Sequence, residues 1–212
     1  MSDVRAELTR NDMEALFEGV KNWGRWGPDD ERGALNFITD TIRRDAAALV
    51  TEGVSVSCAL DFPTQPAPDN PRPAQHMMVV AGDACTTTGM PGMQSAMDFI
   101  GVAFHGMAVS HIDALCHVFV DEKMYNGFDA SDVKSTGAMR NSIMAGEDGI
   151  SGRGVLLDAP RHRGVPYLGI DEQIGPDELD AMVAAQGVEI REGDILLAST
   201  GRDARRAEKG SW

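Results

Sequence analysis

Residues 153–199 read as strand, helix, strand, and that order constrains the fold more than any other stretch of the chain. "RGVLLD" and "GDILLAS" are short apolar runs of the buried-strand kind, and "GPDELDAMVAAQG" between them reads as a helix. Pro176, with its fixed φ and missing N–H, suits a first helical turn. Asp177 and Glu178 complement the positive end of that helix, and Gly187 suits its C-terminal stop. Strands alternating with a helix in this way predict an α/β organisation on a mixed sheet.

Upstream, Met13, Leu16, Phe17 and Val20 recur at helical spacing and predict a helix over 10–20. Asp40 reads as the N-cap of a second helix, "TIRRDAAALVTE", closed by Gly53. "VSVSCALDF" alternates with period two, as a half-buried strand does, and "HMMVVAG" and "DFIGVAF" predict further strands. The proline-rich "PTQPAPDNPRPAQ" cannot be regular structure and is expected to be a surface loop. Loops at 63–75 and 82–97 would shape any pocket. The turn-rich "NWGRWGPDDERGALNF" carries two large aromatic side chains, Trp23 and Trp26, which either pack under their own loop or line a substrate pocket.

A chain of 212 residues can form one large domain or two small ones. The net charge of −14, from 33 acidic and 19 basic residues, argues against nucleic acid or an anionic membrane surface as a partner. Cys58, Cys85 and Cys116 are odd in number and widely spaced, which indicates neither a disulfide framework nor a CxxC zinc site. The polar N-terminal stretch has no apolar leader core, and no apolar run approaches the roughly 18 residues of a spanning helix. A cytoplasmic location is the expectation.

Residues 104–119, "FHGMAVSHIDALCHVF", hold three of the chain's five histidines and an aspartate. If this run is extended, His105, Met107, His111, Asp113 and His117 are all odd-numbered and share a face. Two imidazoles and a carboxylate suit a catalytic divalent metal, because three protein ligands leave one position for water. Zinc fits best by ligand softness, and manganese or iron are allowed. A lone histidine is more often a core or surface residue than a ligand. The full HxDxxxH set in an apolar run reverses that balance, because a buried carboxylate without a partner is costly.

"SHIDALCH", the downstream "MYNG", the upstream "NWGRWGPDDERGALNFIT" and the later "RGVLLD" and "GDILL" resemble the cyclase family of metal-dependent hydrolases, which includes bacterial kynurenine formamidase and isatin hydrolase. The family hallmark has the form HxGTHxDxPxH. Its second histidine falls on His111, its aspartate on Asp113 and its last histidine on His117, while Ser110 takes the threonine place and Leu115 the proline place. The resemblance implies that His111 and Asp113 are metal ligands and that His117 is a general base or acid. Met107 occupies the place of the first histidine, and a thioether is a poor ligand for a hard dication. His105, two residues earlier, is the candidate to replace it through a bulge or register shift.

The resemblance further implies a swivelling β/β/α-type fold, a mixed sheet or barrel-like core with outer helices, and assembly as a homodimer or homotetramer. It reads residues 1–212 as a single cyclase-family domain that stops before the family's C-terminal histidine and glutamate. The implied activity is metal-dependent hydrolysis of an amide, imide, formamide or lactam/lactone bond in a small molecule. The alternatives are a metal-dependent cyclase of secondary metabolism and a non-catalytic binding or scaffold subunit. Tyr125 and Asn126, close behind the motif, are candidates to line the same cleft or to pack a turn. His162, among arginines, reads as a surface residue, and Cys116 as a structural thiol.

Overall fold

A computed structural model of the chain describes residues 9–84 and 91–212, so Cys85 and the middle of the 82–97 loop lie outside the described residues. In chain order the elements are α1 (Arg10–Val20), α2 (Asp40–Ala47), β1 (Gln75–Val80), β2 (Met97–Gly101), β3 (Val133–Lys134), β4 (Gly137–Ala138), β5 (Gly154–Asp158), α3 (Ala159–Arg163), α4 (Pro176–Gln186), β6 (Ile195–Ser199) and α5 (Arg202–Lys209). β1 pairs with β2, β3 with β4, and β5 with β6. The fold is therefore mixed α/β, and among the described residues these small sheets do not close into a barrel. No described helix is long and apolar enough to cross a membrane. The chain divides into two compact units. Unit 1 takes the residues up to Leu49 with Asp113–Gly154 and Arg191–Ile195, and unit 2 takes Val50–Ile112, Val155–Ile190 and Leu196–Trp212.

Unit 2 holds the strand, helix, strand order read from the sequence. Val155 and Leu157, alternating along β5, point into a core completed by Ala159, Leu168 and Met182, with Leu179 and Val183 of α4 packed against it. Leu157 and Met182 are fully buried, each burial contributing about 1.5–3 kcal/mol. α4 begins at Pro176 and is capped by Gly187 in the left-handed region at φ 64°, as its sequence predicts. Gln186 ties its end to the strand, donating to Leu156 O at 2.7 Å and accepting from Asp158 N at 2.9 Å. Arg163 of α3 grips Glu178 of α4 with two hydrogen bonds, 2.6 and 2.7 Å.

One expectation fails in this unit, and another holds with a qualification. Residues 54–62 form no strand, because no described segment pairs with them and alternation without a ladder partner does not make one; Val54, Val56 and Leu60 are exposed. The proline-rich segment is a loop, but it is not simply a surface one. Asn70 donates to Pro63 O and Gln65 O at 3.2 and 2.9 Å, folding the segment on itself and burying both Asn70 and Asp69. Beyond it, β1 and β2 form an antiparallel pair in the register His76↔Ile100, with an irregularity between Met78 and Val80. His76 Nε2 lies 2.9 Å from Asp98 Oδ2 across that pair.

In unit 1, α1 starts at a capping box. The Thr9 hydroxyl accepts from Asp12 N while Asp12 accepts from Thr9 N. Thr39, rather than Asp40, caps α2, since its hydroxyl accepts from Ile42 N and leaves Asp40 in the first turn. That helix ends at Ala47, short of Gly53, with Leu49 and Val50 exposed and contributing no packing that would extend it. The loop carrying the tryptophans is organised by Asn126, which sits in the left-handed region at φ 62°. Its Nδ2 donates to Gly27 O, Pro28 O and Asp30 O at 2.9–3.1 Å, and its Oδ1 accepts from Gly24 N at 2.7 Å. One small amide thereby satisfies four backbone groups of an irregular loop.

Candidate metal centre

The segment that follows β2 is not the strand its alternation predicts. Residues 105–109 are bends, Gly106 stands at φ +140°, and a turn follows at 115–116. A side chain at Gly106 would be strained there. The fold-back at this glycine, not a shared strand face, brings His105 to His111. Their rings meet edge to face at a centroid distance of 5.2 Å and 68°, with Phe104 stacked beside both, 4.8 Å from His105 and 5.9 Å from His111.

His111 Nδ1 lies 2.8 Å from Val109 O. A carbonyl can only accept, so Nδ1 is the donor here, which in a neutral ring leaves Nε2 as the lone-pair nitrogen, the arrangement by which metal-binding imidazoles are oriented. Asp113 follows two positions later. One donor atom from each of His105, His111 and Asp113 lies within 4.8 Å of the others. The three side chains come from nine consecutive residues, so the chain itself holds them near one another. Two imidazole nitrogens and a carboxylate oxygen are a donor set that fits a divalent cation such as zinc or manganese. The Met107 side chain is exposed, and its backbone carbonyl accepts from Arg202.

His117 stands outside this trio. Its Nε2 is 3.9 Å from Asp113 Oδ2, and its N–H closes a turn onto Ala114 O. Asp113 and His117 line a cleft of about 350 Å³ in unit 1, whose wall also includes Phe17, Trp23, Leu115 and Tyr125. Trp23 packs edge-on against Phe17 at 5.8 Å. Trp26 is not on this wall; it packs edge-on against Phe37 at 5.0 Å, with Arg25 over the Phe37 ring. Asn126 holds the tryptophan loop instead of facing the cleft. Phe17, read from the sequence only as part of a helix stripe, is on the wall; its spacing gave no sign of this. His162 is exposed on α3, in keeping with its surface reading.

The Tyr125 hydroxyl donates to Asp30 Oδ2 at 2.8 Å. Burial and the adjacent Asp30 carboxylate both push the phenol well above the usual tyrosine range. Burial pushes the Asp30 carboxyl up, but hydrogen bonds from Asn36, Tyr125 and Gly33 outweigh it, and the net result lies below the ordinary value. Tyr125 therefore offers the cleft a ring whose proton is committed elsewhere.

Residues 38–212 match the model of the family described as "Putative cyclase". The chain belongs to the cyclase family. It is 31% identical, with a TM-score of 0.77, to a crystal structure described as that of a novel cyclase, over 86% of this chain and 63% of that one. The chain thus spans less than two thirds of that relative's length. No curated protein matches it.

Proposed function

We propose that the chain is a metal-dependent hydrolase of an amide, imide, formamide or lactam/lactone bond in a small molecule. The observation that carries this proposal is the convergence of His105, His111 and Asp113 on the stretch that resembles the family hallmark. A divalent cation held there, zinc or manganese, supplies Lewis-acid polarisation of a carbonyl and a nucleophile at neutral pH. His111 is oriented by Val109 O, and Asp113 brings the negative charge that favours a dication over a neutral ligand.

His117 moves protons between water and the leaving group, a task suited to an imidazole. It shares a cleft wall with Asp113, so a substrate in that cleft would lie within reach of both. Trp23 and Tyr125 present aromatic surface for the organic part of the substrate, and the committed Tyr125 proton leaves acid–base work to His117. The proposal includes the swivelling β/β/α arrangement implied by the resemblance, a cytoplasmic location and a homodimer or homotetramer. Exposed apolar residues of the β1–β2 pair, Met77, Val79 and Phe99 among them, support self-assembly.

The test is a panel of formamides, imides, lactams and lactones in 18O-labelled water, with and without added zinc or manganese. Metal-dependent appearance of label in a carboxylate product is expected. Absence of metal uptake, or turnover indifferent to chelator, would overturn the proposal. A second reading, metal-dependent ring closure, is favoured by the descriptions of both the family and the similar structure as cyclases. It predicts a cyclised product without label.

A further inference from the structure

We propose that Arg202 is a positioning residue for the ligand loop, holding the Met107 carbonyl so that His105 stays against His111. It rests on the assignment of His105 and His111 as ligands, and every residue it uses here belongs to unit 2. Met107 lies between the two imidazoles in sequence, one residue beyond the Gly106 fold-back. Its carbonyl accepts from Arg202 Nη2 at the start of α5.

The same guanidinium is braced from behind. Arg202 Nη2 lies 3.4 Å from Asp69 Oδ2, and Arg206 Nη2 holds the other oxygen, Asp69 Oδ1, at 3.3 Å. The Asp69 side chain is only 1% exposed, and it projects from the loop that Asn70 folds shut. Trp212 stacks over Arg202 and Arg205, at 5.4 and 4.5 Å from ring centroid to guanidinium. The planar guanidinium holds its donors in fixed directions, so Nη2 meets the Asp69 carboxylate and the Met107 carbonyl from one rigid frame, whereas a lysine ammonium carries rotatable donors on a flexible stem. The contact takes the backbone of a bent segment as its acceptor, so it fixes where the chain turns and, through that, where His105 stands.

Arg206 supplies the comparison, because it shares Asp69 while the hydrogen bond to Met107 O comes from Arg202. Metal-stripped protein is titrated with cobalt(II), reading both affinity and the visible spectrum, with thermal melts to confirm folding. Arg202→Met is expected to weaken cobalt binding by about 10–100-fold, the range for groups that orient metal ligands, and to shift the cobalt spectrum. Arg206→Met, which removes only the second hold on Asp69, is expected to have a clearly smaller effect on affinity and spectrum. Arg202→Lys, which keeps the charge beside Asp69, serves if Arg202→Met does not fold, and is expected to show the same weakening.

Equal effects of the Arg202 and Arg206 variants, or no effect of either, overturn the positioning role. If the wild-type protein itself takes up no cobalt, the ligand assignment has failed and the positioning role falls with it. If the wild type binds and the Arg202 variants bind equally well, the positioning role alone has failed.

Discussion

His105 and His111 stand edge to face, 5.2 Å between ring centroids, although six positions separate them in sequence. Met107, at the place the resemblance gives to the family's first histidine, is tied to Arg202 through its backbone carbonyl. The proposed ligand set therefore predicts opposite outcomes at neighbouring positions. His105→Ala, His111→Ala and Asp113→Ala should each weaken zinc binding by more than about 100-fold, beyond the loss typical of an orienting group. Met107→Ala should leave it intact. Equilibrium dialysis with metal analysis reads the difference, and retention of zinc by His105→Ala would remove His105 from the ligand set.

In the proposed mechanism His117, whose Nε2 lies 3.9 Å from Asp113 Oδ2, moves protons and does not hold the cation. His117→Gln should keep stoichiometric metal while lowering kcat by about 100- to 10,000-fold, the usual contribution of a positioned acid or base. Loss of metal in this variant would make His117 a ligand instead.

The Tyr125–Asp30 pair makes unit 1 sensitive to pH at both extremes. Tyr125 is shifted up on folding, so its contribution is fully present below about pH 10, the unfolded tyrosine value, and is lost as pH rises toward the folded value. Asp30 is shifted down, so its contribution is present above about pH 4 and is lost as pH falls. Tyr125→Phe should cost about 1–2 kcal/mol at neutral pH and flatten the alkaline limb. Urea unfolding from pH 7 to 11 measures both effects, and an unchanged alkaline slope would remove Tyr125 as its origin.

Gly201 and Gly187 both have positive φ, 73° and 64°, but only one is crowded. A Cβ at Gly201 would lie 2.8 Å from both Pro166 O and Tyr167 Cα, whereas at Gly187 it meets nothing within 4 Å. Gly201→Ala should destabilise by on the order of 3 kcal/mol, combining strain with backbone overlap. Gly187→Ala should cost about 1 kcal/mol, from conformation alone. Equal melting-temperature shifts for the two would count against the close approach.

What the sequence made legible follows from which signals are local. Helix α4 was readable because Pro176 and Gly187 mark its ends by their own backbone chemistry, and β5 because Val155 and Leu157 alternate into a core. Residues 54–62 carry the same alternation, but a strand also needs a partner, and pairing is not written in the segment itself. Helix α5 went unread because "RDARRAEK" offers only two alanines as apolar residues, too few to mark a face for burial. At the site, His111, Asp113 and His117 were visible as residue types at a telling spacing. His105 was legible as the candidate to replace the first histidine through a bulge or register shift, but the fold-back at Gly106 that brings it to His111 was not. The Arg202 contact joins residues 95 apart and could not be read from either end.

The three proposed donors occupy nine consecutive residues, and that has a consequence for when a cation can be captured. Closing a six-residue ring costs about 1.6 kcal/mol in the length-dependent part of chain entropy, against about 4 kcal/mol for donors a hundred residues apart. The centre is in effect a short chelating peptide set inside a larger chain. During synthesis its donors are all present once residue 113 has been added, before β5, α4 or α5 exist. Metal uptake by such a chelate can precede the completion of either unit, with Arg202 arriving last to fix its shape.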